Sequence, residues 1–291
     1  MTCVLLLGAT GMLGATVGRV LAAEPGLELV GSARGEPPAG AGYPVERFDA
    51  LADDPRALVD AVAPDWIVNA IGVTKPNIEP DGPVSVAATF AVNARFPFAL
   101  AEAARLAGAR VIQIATDGVF SGRAGGYRED APHDAHDVYG KSKSMGEVPA
   151  VNVTHLRCSI VGPGDDSLLA WLLAQPTDAT VPGFVDHVWN GVTTWHFGAL
   201  CAGIVRERLE PPSPLHVVPA DAVTKARLLQ LLARAFGRDD LSIEPQTSPA
   251  AVDRSLATLH PQANGALWRA AGYDAPPTVA AMVDELGRRM I

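Results

Sequence analysis

Short apolar runs alternate with amphipathic segments along the first half of the chain. Apolar runs of roughly four to eight residues between turn residues are typical of strands buried on both faces of a parallel sheet. They predict strands over residues 4–7, 27–33, 45–48, 65–72 (with its exit turn), 111–115 and 151–157. Helical periodicity predicts helices that end near residue 23 and that span 53–63 and 83–106, with a kink at Pro97. This alternation predicts an α/β fold built on a doubly wound parallel sheet with right-handed crossovers.

The pattern changes after Gly162-Pro163-Gly164. Periodicity now predicts helices over 167–173, 194–209, 222–236, 262–271 and 277–289, with a short strand over 215–218. The stretch 180–194 is predicted to be irregular, and a loop rich in Pro, Ser and Asp follows residue 236. We therefore predict a dinucleotide-binding domain over residues 1–160. Residues 161–291 are predicted to form mainly a smaller α/β substrate-binding lobe, with some segments that return to the central sheet.

A glycine motif, Gly8-Ala-Thr-Gly11-Met-Leu-Gly14, lies between the first strand and the first helix. This order of elements is the setting of a dinucleotide-binding fingerprint. Its glycines permit a tight turn and let backbone N–H groups approach a pyrophosphate at the N-terminus of the helix. The motif therefore predicts a dinucleotide site, and a plain strand-to-helix turn is the alternative.

The end of the second strand indicates which nicotinamide cofactor is preferred. An acidic residue there would bind the ribose hydroxyls of NAD, whereas Ser32 and Arg34 suit a 2′-phosphate. NADPH is therefore favoured, with NADH left open and an ordinary loop arginine as the alternative for Arg34. Asp49, just after the third strand, is a candidate partner of the adenine amino group, or else a capping carboxylate.

Tyr139 and Lys143 stand four residues apart in a predicted helix, with Asp137 as its N-cap. This spacing places the phenol and the ammonium on one helical face. The nearby ammonium is expected to lower the pKa of the phenol, so that Tyr139 can exchange a proton with a substrate oxygen. Thr116, at the carboxyl end of the fifth strand, is positioned to hydrogen-bond the same oxygen. A surface helix on which the two side chains are merely neighbours is the alternative.

Composition excludes several other classes of protein. The net charge of −9 argues against binding to a nucleic-acid backbone, which requires basic patches. The cysteines Cys3, Cys158 and Cys201 are widely spaced, which indicates a reducing compartment, here the cytoplasm, and no zinc site. No apolar run approaches the ~18 residues of a membrane span, so no membrane association is expected.

Taken together, these motifs resemble those of the extended short-chain dehydrogenase/reductases. The chain is most similar to the dTDP-4-dehydrorhamnose reductase family of nucleotide-sugar 4-ketoreductases, through LLLGATGMLG, NAIG, VNARFPFALAEAA, IATDGVFSGRAGGYRED, VYGKSKSMGE, LRCSIVGPG and WNGVTTWHFGAL. In place of the Ser-Thr-Asp-Tyr-Val-Phe that is usual in this family, the chain has Ala115-Thr-Asp-Gly118-Val-Phe. It also has Gly191-Val-Thr-Thr in place of Gly-x-Pro-Thr. These departures concern the identity of the substrate more than the chemistry.

The resemblance implies that NADPH reduces the ketone of a nucleotide-linked 4-keto-deoxysugar. Tyr139 would protonate the developing alkoxide, Lys143 would hold the nicotinamide ribose, and Thr116 would hydrogen-bond the same oxygen. Besides the three motif glycines, Ser32, Arg34 and Asp49, the cofactor is expected to contact Thr10, Met12, Leu13, Ala70, Ile71, Gly72, Asn93, Tyr139 and Lys143. The substrate is expected to contact Asp117, Gly118, Val119, His187, Trp189 and Asn190.

Several alternatives stay open at this stage. An epimerase or epimerase/reductase on the same scaffold needs an additional acid–base pair, and a regulatory module would bind the cofactor without catalysis. His187 is more readily explained as a structural histidine. Asn93 could instead bond to backbone, support Lys143 through water, or be solvated. The His133-Asp134-Ala-His136-Asp137 cluster is better explained as a solvated loop than as a metal site. The oligomeric state is open between a monomer and a homodimer through the two long helices.

Overall fold

The structure is a computed structural model that describes residues 1–37, 40–78 and 84–290. Its strands are β1 (Thr2–Leu7), β2 (Leu27–Ala33), β3 (Val45–Arg47), β4 (Trp66–Asn69), β5 (Arg110–Thr116), β6 (Val153–Cys158), β7 (Ile160–Val161), β8 (Thr180–Phe184), β9 (His187–Trp189), β10 (Val192–Thr193), β11 (Leu215–His216), β12 (Val223–Thr224), β13 (Ser242–Gln246) and β14 (Val252–Asp253). Its α-helices are α1 (Met12–Ala22), α2 (Pro55–Val62), α3 (Val86–Phe90), α4 (Phe96–Ala107), α5 (Val138–Met145), α6 (Leu168–Leu173), α7 (Thr194–Glu207), α8 (Lys225–Ala235), α9 (Pro261–Ala270) and α10 (Val279–Met290).

A parallel sheet forms the centre of the molecule, with the strand order β3-β2-β1-β4-β5-β6-β11 within the described residues. Every pair of neighbouring strands in it is parallel. The order reverses direction between β1 and β4, which is where an open α/β sheet binds its ligand. The prediction of a doubly wound parallel sheet is confirmed.

The first strand shows why both faces of the sheet must be covered. Val4 and Leu6 point into one apolar cluster with α1 and α7, whereas Leu5 and Leu7 point into another with α2 and α4. All four side chains are essentially inaccessible to solvent. Burial of each such side chain stabilises the folded state by about 1.5–3 kcal/mol relative to exposure. The strand is therefore held firmly in the sheet, and so is the start of the glycine loop that follows Leu7.

The long helix predicted over 83–106 is interrupted. Its first predicted residue, Pro83, lies outside the described residues, as do residues 38 and 39 of the loop between the second and third strands. The remainder forms α3, a π-helical turn over Ala91–Arg95, and α4. Pro97 has no N–H to donate to the carbonyl of Asn93, so an ordinary helical bond is lost at this position. The irregularity therefore lies in the turn before the proline.

The prediction of irregular structure over 180–194 and after residue 236 is wrong. These stretches contain β8, β9 and β10 and then β13 and β14. A three-stranded sheet has the order β12-β9-β14, β8 pairs with β13, and β7 pairs with β10. Each strand is short and pairs with a segment distant in sequence, so no local periodicity reveals it. In the part of the chain that the structure describes, no helix is both long and apolar enough to cross a bilayer.

Candidate active site

Helix α5 brings two of the predicted reactive side chains to one cavity. Asp137 caps the helix as predicted, since its Oδ1 accepts a hydrogen bond from the N–H of Gly140 at 2.7 Å. Tyr139 and Lys143 follow one turn apart, and both line a cavity of about 530 Å³. Thr116, at the end of β5, and the glycine loop line or border the same cavity. The carboxyl ends of β1, β4 and β5 meet here, because parallel strands end at the same edge of a sheet.

Two glycines let α5 approach the turn that follows β5. A Cβ on Gly140 would lie 2.5 Å from the carbonyl oxygen of Gly118 and 2.4 Å from the Cβ of Ala135. A Cβ on Gly118 would lie 2.8 Å from Cε1 of Tyr139 and 3.2 Å from Oγ1 of Thr116. Real Cβ atoms do not approach other heavy atoms to within 3.0 Å, so a side chain at 140 or 118 would force its neighbours to shift. The absence of a side chain at 118, where the family usually has tyrosine, therefore lets the ring of Tyr139 lie against Thr116.

The ammonium of Lys143 is held at the cavity wall. Its Nζ donates a hydrogen bond to the carbonyl oxygen of Ile114 at 3.0 Å. Burial lowers the pKa of Lys143 from 10.5 to about 8, opposed by the negative charge of Glu147. The cation is therefore less stable here than in water, and an anionic or hydroxylated ligand in the cavity would stabilise it.

The pKa of Tyr139 moves in the direction opposite to the one expected from sequence. Burial raises it from 10 to about 12, and the nearby hydroxyl of Thr116 only partly opposes this effect. The negative charges of Asp117 and Asp137 raise it further. Desolvation of the phenolate thus decides the direction of the shift, and the ammonium one turn away does not offset it. The expectation of a lowered pKa is wrong for this structure, in which Tyr139 keeps its proton at neutral pH.

Asn93 lies in the π-helical turn and serves the backbone. Its Oδ1 accepts from the N–H of Val73 at 2.8 Å, and its Nδ2 donates to the carbonyl of Val73 at 2.9 Å and to Oγ of Ser142 at 3.0 Å. It therefore fixes the segment after β4 to α5. That segment lines the cavity through Ala70, Ile71 and Gly72, which the sequence predicts to contact the cofactor, and also through Val73, Thr74 and Lys75.

The glycine loop has the geometry of a phosphate cradle. Gly8 has φ +82°, and a Cβ on Gly14 would lie 2.0 Å from the carbonyl oxygen of Gly8. Only glycine fits at either position. Gly11, Met12 and Leu13 line the cavity at the start of α1, whereas Thr10 is exposed beside it.

The residues predicted to contact the adenosine part of the cofactor do not line this cavity. Ser32 is fully buried at the end of β2, and its hydroxyl has no hydrogen-bond partner among the described residues. Arg34 follows it and is exposed. Asp49 accepts from the N–H of Leu51 at 2.9 Å, so its carboxylate closes a local turn, which is the alternative that the sequence left open.

The three-stranded sheet β12-β9-β14 contributes one wall of the cavity. His187 and Trp189, on β9, line the cavity, and Nε1 of Trp189 donates to Oγ of Ser159 at 2.9 Å. Nε2 of His187 and Oγ of Ser248 are hydrogen-bonded at 3.0 Å. Asn190 points away from the cavity, because its amide both donates to and accepts from the backbone of Leu256.

Two cations on this wall were not anticipated from the sequence. Lys225 follows β12 at the start of α8, Arg254 follows β14, and the two strands flank β9. Burial lowers the pKa of Lys225, opposed by the charge of Asp117. Nε of Arg254 donates to the carbonyl of Phe120 at 2.8 Å. Lys75, at the cavity rim, pairs with Asp137 at 3.3 Å. The cavity is thus cationic although the chain carries a net charge of −9.

The remaining predicted residues divide between the cavity and its surroundings. Asp117 and Gly118 line the cavity, whereas Val119 is buried behind it. Sequence reasoning also missed a group of apolar and small lining residues, namely Ser159, Ile160, Val161, Leu168, Leu228 and Val252. The loop before α5 does not gather its polar groups at one point. His133 is hydrogen-bonded to Ser144 and Arg157, whereas Asp134 accepts a hydrogen bond from the N–H of Ser121. No group of metal-ligating side chains occurs within residues 1–37, 40–78 and 84–290.

Comparisons with known proteins agree with this geometry. A family model described as the RmlD substrate binding domain matches residues 1–179. The dTDP-4-dehydrorhamnose reductase of Streptomyces griseus is 29% identical over 237 residues, which cover 76% of this chain and 76% of that protein. Among solved structures, a dTDP-4-dehydrorhamnose reductase from Clostridium acetobutylicum has a TM-score of 0.76 at 18% identity, with 99% of each chain covered. The Bacillus anthracis enzyme in complex with NADP has a TM-score of 0.76 at 17% identity, with 100% of each chain covered. These structural likenesses show a shared fold.

Proposed function

The chain belongs to the RmlD substrate binding domain family, and on this premise we propose that it uses NADPH to reduce the 4-keto group of a nucleotide-linked deoxysugar. The observation that carries this proposal is the meeting of Tyr139, Lys143 and Thr116 with the glycine loop at one cavity. A regulatory module would need the loop but not the phenol and ammonium beside it. The enzyme is therefore an NAD(P)-dependent oxidoreductase that acts on a nucleotide sugar.

The residues around the glycine loop fit a dinucleotide phosphate. Gly8 and Gly14 form a cradle that a side chain would fill, and the unpartnered hydroxyl of Ser32 lies at the end of the neighbouring strand. Gly11, Met12 and Leu13 would hold the pyrophosphate, and Arg34 with Ser32 would hold the 2′-phosphate. NADPH is therefore the main cofactor and NADH is also accepted. When bound, NADPH supplies the hydride that adds to the carbonyl carbon.

Tyr139 then acts as the proton donor. Its raised pKa keeps the proton on the phenol at neutral pH. Tyr139 is therefore in the protonation state that reduction requires, not the one that oxidation requires. Thr116, which lines the same cavity as Tyr139, would stabilise the charge that develops on the carbonyl oxygen. The hydroxyls of a bound ribose would stabilise the ammonium of Lys143, and this charge would favour the phenolate of Tyr139 in the loaded enzyme.

The cationic wall supports a nucleotide diphosphate as the group attached to the sugar. Lys225 and Arg254 stand on the two sides of β9, whose residues His187 and Trp189 provide aromatic surface between them. A diphosphate is a compact dianion that suits two such partners. Gly118 leaves the sugar end of the cavity without the side chain that relatives carry. Asp117 and Asp137 are the carboxyl groups that line the cavity near Tyr139. Asp137 already caps α5 and pairs with Lys75, so the additional acid–base pair needed for an epimerase is not favoured.

An absorbance assay of NADPH oxidation tests the proposal. The protein is mixed with NADPH and a panel of nucleotide-linked 4-keto-6-deoxysugars, and oxidation that depends on one of them is expected. Tyr139→Phe should abolish turnover and leave NADPH binding intact, because the glycine loop is untouched. Lys225→Met should raise the KM for the sugar nucleotide, whereas Lys141→Met, on the exposed face of α5, should change nothing. Full turnover by Tyr139→Phe would refute the assignment.

Exposed apolar side chains bear on the oligomeric state, and the cysteines bear on the cellular compartment. Val86, Phe98, Leu106 and Met145 are exposed apolar side chains on α3, α4 and α5. They support a homodimer through these helices, and Phe98→Glu should then produce a monomer in light scattering. The three cysteines are free thiols, which supports a reducing cytoplasm.

A further inference from the structure

The two ring nitrogens of His187 have different surroundings. The imidazole lines the cavity, and its Nε2 is hydrogen-bonded at 3.0 Å to Oγ of Ser248, a residue outside the cavity lining. Nδ1 makes no hydrogen bond to any residue that the structure describes, and it is not among the unpartnered side-chain atoms that are sealed from solvent. His187 therefore presents to the cavity a polar atom that the described part of the protein does not use.

The hydroxyl of Ser248 decides which ring nitrogen carries the proton. Its Oγ lies 2.6 Å from the carbonyl oxygen of Ala250 and 3.1 Å from Oδ2 of Asp186. A carbonyl and a carboxylate can only accept, so the single hydroxyl proton is committed to one of these two oxygens. Ser248 must then accept from Nε2 of His187. Nε2 carries the ring proton, and Nδ1 of the neutral imidazole is a hydrogen-bond acceptor.

The protein fixes the direction of Nδ1 before a ligand arrives. Asp186 also accepts from the backbone N–H of Ser248 at 2.9 Å, and its own carbonyl accepts from the N–H of Val252 at 3.1 Å. These bonds hold Ser248 in place independently of the imidazole. The ring of Phe184 lies beside the imidazole, with the two centroids 4.6 Å apart. An acceptor that is preorganised in this way gains affinity, because little conformational freedom is lost on binding.

We propose that Nδ1 of His187 accepts a hydrogen bond from a hydroxyl group of the bound nucleotide sugar, on its hexose or on its ribose. His187 is then a specificity-determining residue. This inference rests on the proposed function, because it takes a nucleotide sugar as the ligand. The oxygens of an ionised diphosphate have no proton to donate to Nδ1, so that group is left to Lys225 and Arg254. A ligand that lacks the hydroxyl should bind more weakly.

The variant His187→Gln separates this role from a purely structural one. The amide nitrogen of Gln reaches about as far as Nε2, so the variant keeps a donor to Ser248 but has no acceptor at the position of Nδ1. The KM for the nucleotide sugar should rise roughly 3- to 10-fold, the size of one neutral hydrogen bond, with kcat little changed. The control is His260→Gln, because His260 does not line the cavity and its side chain does not cap α9.

Nitrogen NMR of histidine-labelled protein without ligand tests the tautomer itself. Nδ1 of His187 should show the downfield shift of an unprotonated ring nitrogen, and His187→Gln identifies the signal because it lacks it. Ser248→Ala should allow the tautomer with the proton on Nδ1 to appear. Addition of UDP-glucose should move the Nδ1 signal upfield, as expected when this atom accepts a hydrogen bond. A wild-type ring with its proton on Nδ1 would refute the inference.

Binding assays with ligands that are not reduced identify the hydroxyl. If His187→Gln weakens the binding of UDP-glucose but not of UDP, the donor is on the hexose; if it weakens both, the donor is on the ribose. Equal weakening with 2′,3′-dideoxyuridine diphosphate, which has no hydroxyl to donate, would refute the inference. So would unchanged affinity for both UDP-glucose and UDP, in which case His187 is structural and the reductase assignment stands. If the wild type neither binds a nucleotide-linked sugar nor oxidises NADPH with one, the proposed function fails and this inference fails with it.

Discussion

The desolvated ammonium of Lys143 should lower the free energy of unfolding of the cofactor-free protein, relative to a variant with an uncharged side chain at this position. Burial lowers the pKa of Lys143 from 10.5 to about 8, and each pKa unit corresponds to ~1.4 kcal/mol. The full displacement thus corresponds to about 3 kcal/mol. Lys143 is partly accessible at the cavity wall, so we reduce this figure to about 2 kcal/mol for solvent screening. Lys143→Met removes this cost and loses one hydrogen bond to Ile114, worth ~1 kcal/mol. We expect the variant to be about 1 kcal/mol more stable at pH 7, although inactive.

The pH dependence of stability shows whether Lys143→Met stabilises the protein by removing a charge or by packing better. Below pH 8 the lysine is charged in both the folded and unfolded states, so the cost is fully present. Between pH 8 and 10.5 the unfolded state binds more protons, so the stability of the wild type rises with pH. The advantage of Lys143→Met should therefore vanish as the pH rises through this window. Urea denaturation at pH 7 and pH 10 measures it, with Lys141→Met as the control that should differ little from wild type. A variant that is less stable at pH 7, or equally favoured at both pH values, would refute the reasoning.

Three further changes probe the site and its support. Gly140→Ala should lower kcat on the order of 10²-fold, because α5 must move away from Gly118 and misplace Tyr139; Gly35→Ala, where a Cβ meets nothing within 4 Å, should leave kcat unchanged. Arg157→Leu should destabilise the fold by about 2–3 kcal/mol, because Glu147, whose side chain is 13% exposed, loses its buried partner. Urea denaturation should find the double variant with Glu147→Leu more stable than the single one. Arg34→Asp should shift the ratio of kcat/KM values from NADPH towards NADH on the order of tenfold, as expected for the loss of one contact worth ~1.5 kcal/mol, and an unchanged ratio would remove Arg34 from the cofactor site.

Local signals in the sequence were enough for the parallel sheet and for half of the site. The glycine motif and the Tyr139–Lys143 spacing each lie within one turn or loop, so their geometry follows from helix and turn rules. Lys225 and Arg254 could not be found in this way, because they follow strands of two residues whose partner, β9, is distant in sequence. The direction of the Tyr139 pKa was also out of reach, since it depends on how much water surrounds the phenol. Spacing shows which groups are neighbours, whereas desolvation depends on the whole fold.

The three-stranded wall has a consequence for the order in which the protein is made. Its central strand, β9, ends at Trp189, but it cannot complete its sheet until β12 and then β14, which starts at Val252, have been synthesised. The glycine loop and the first six sheet strands all precede Val161. A chain emerging from the ribosome therefore gains its nucleotide cradle long before this wall of the cavity. During that part of synthesis the chain has its glycine loop but lacks both α7, which covers one face of the sheet, and the wall that carries Lys225 and Arg254.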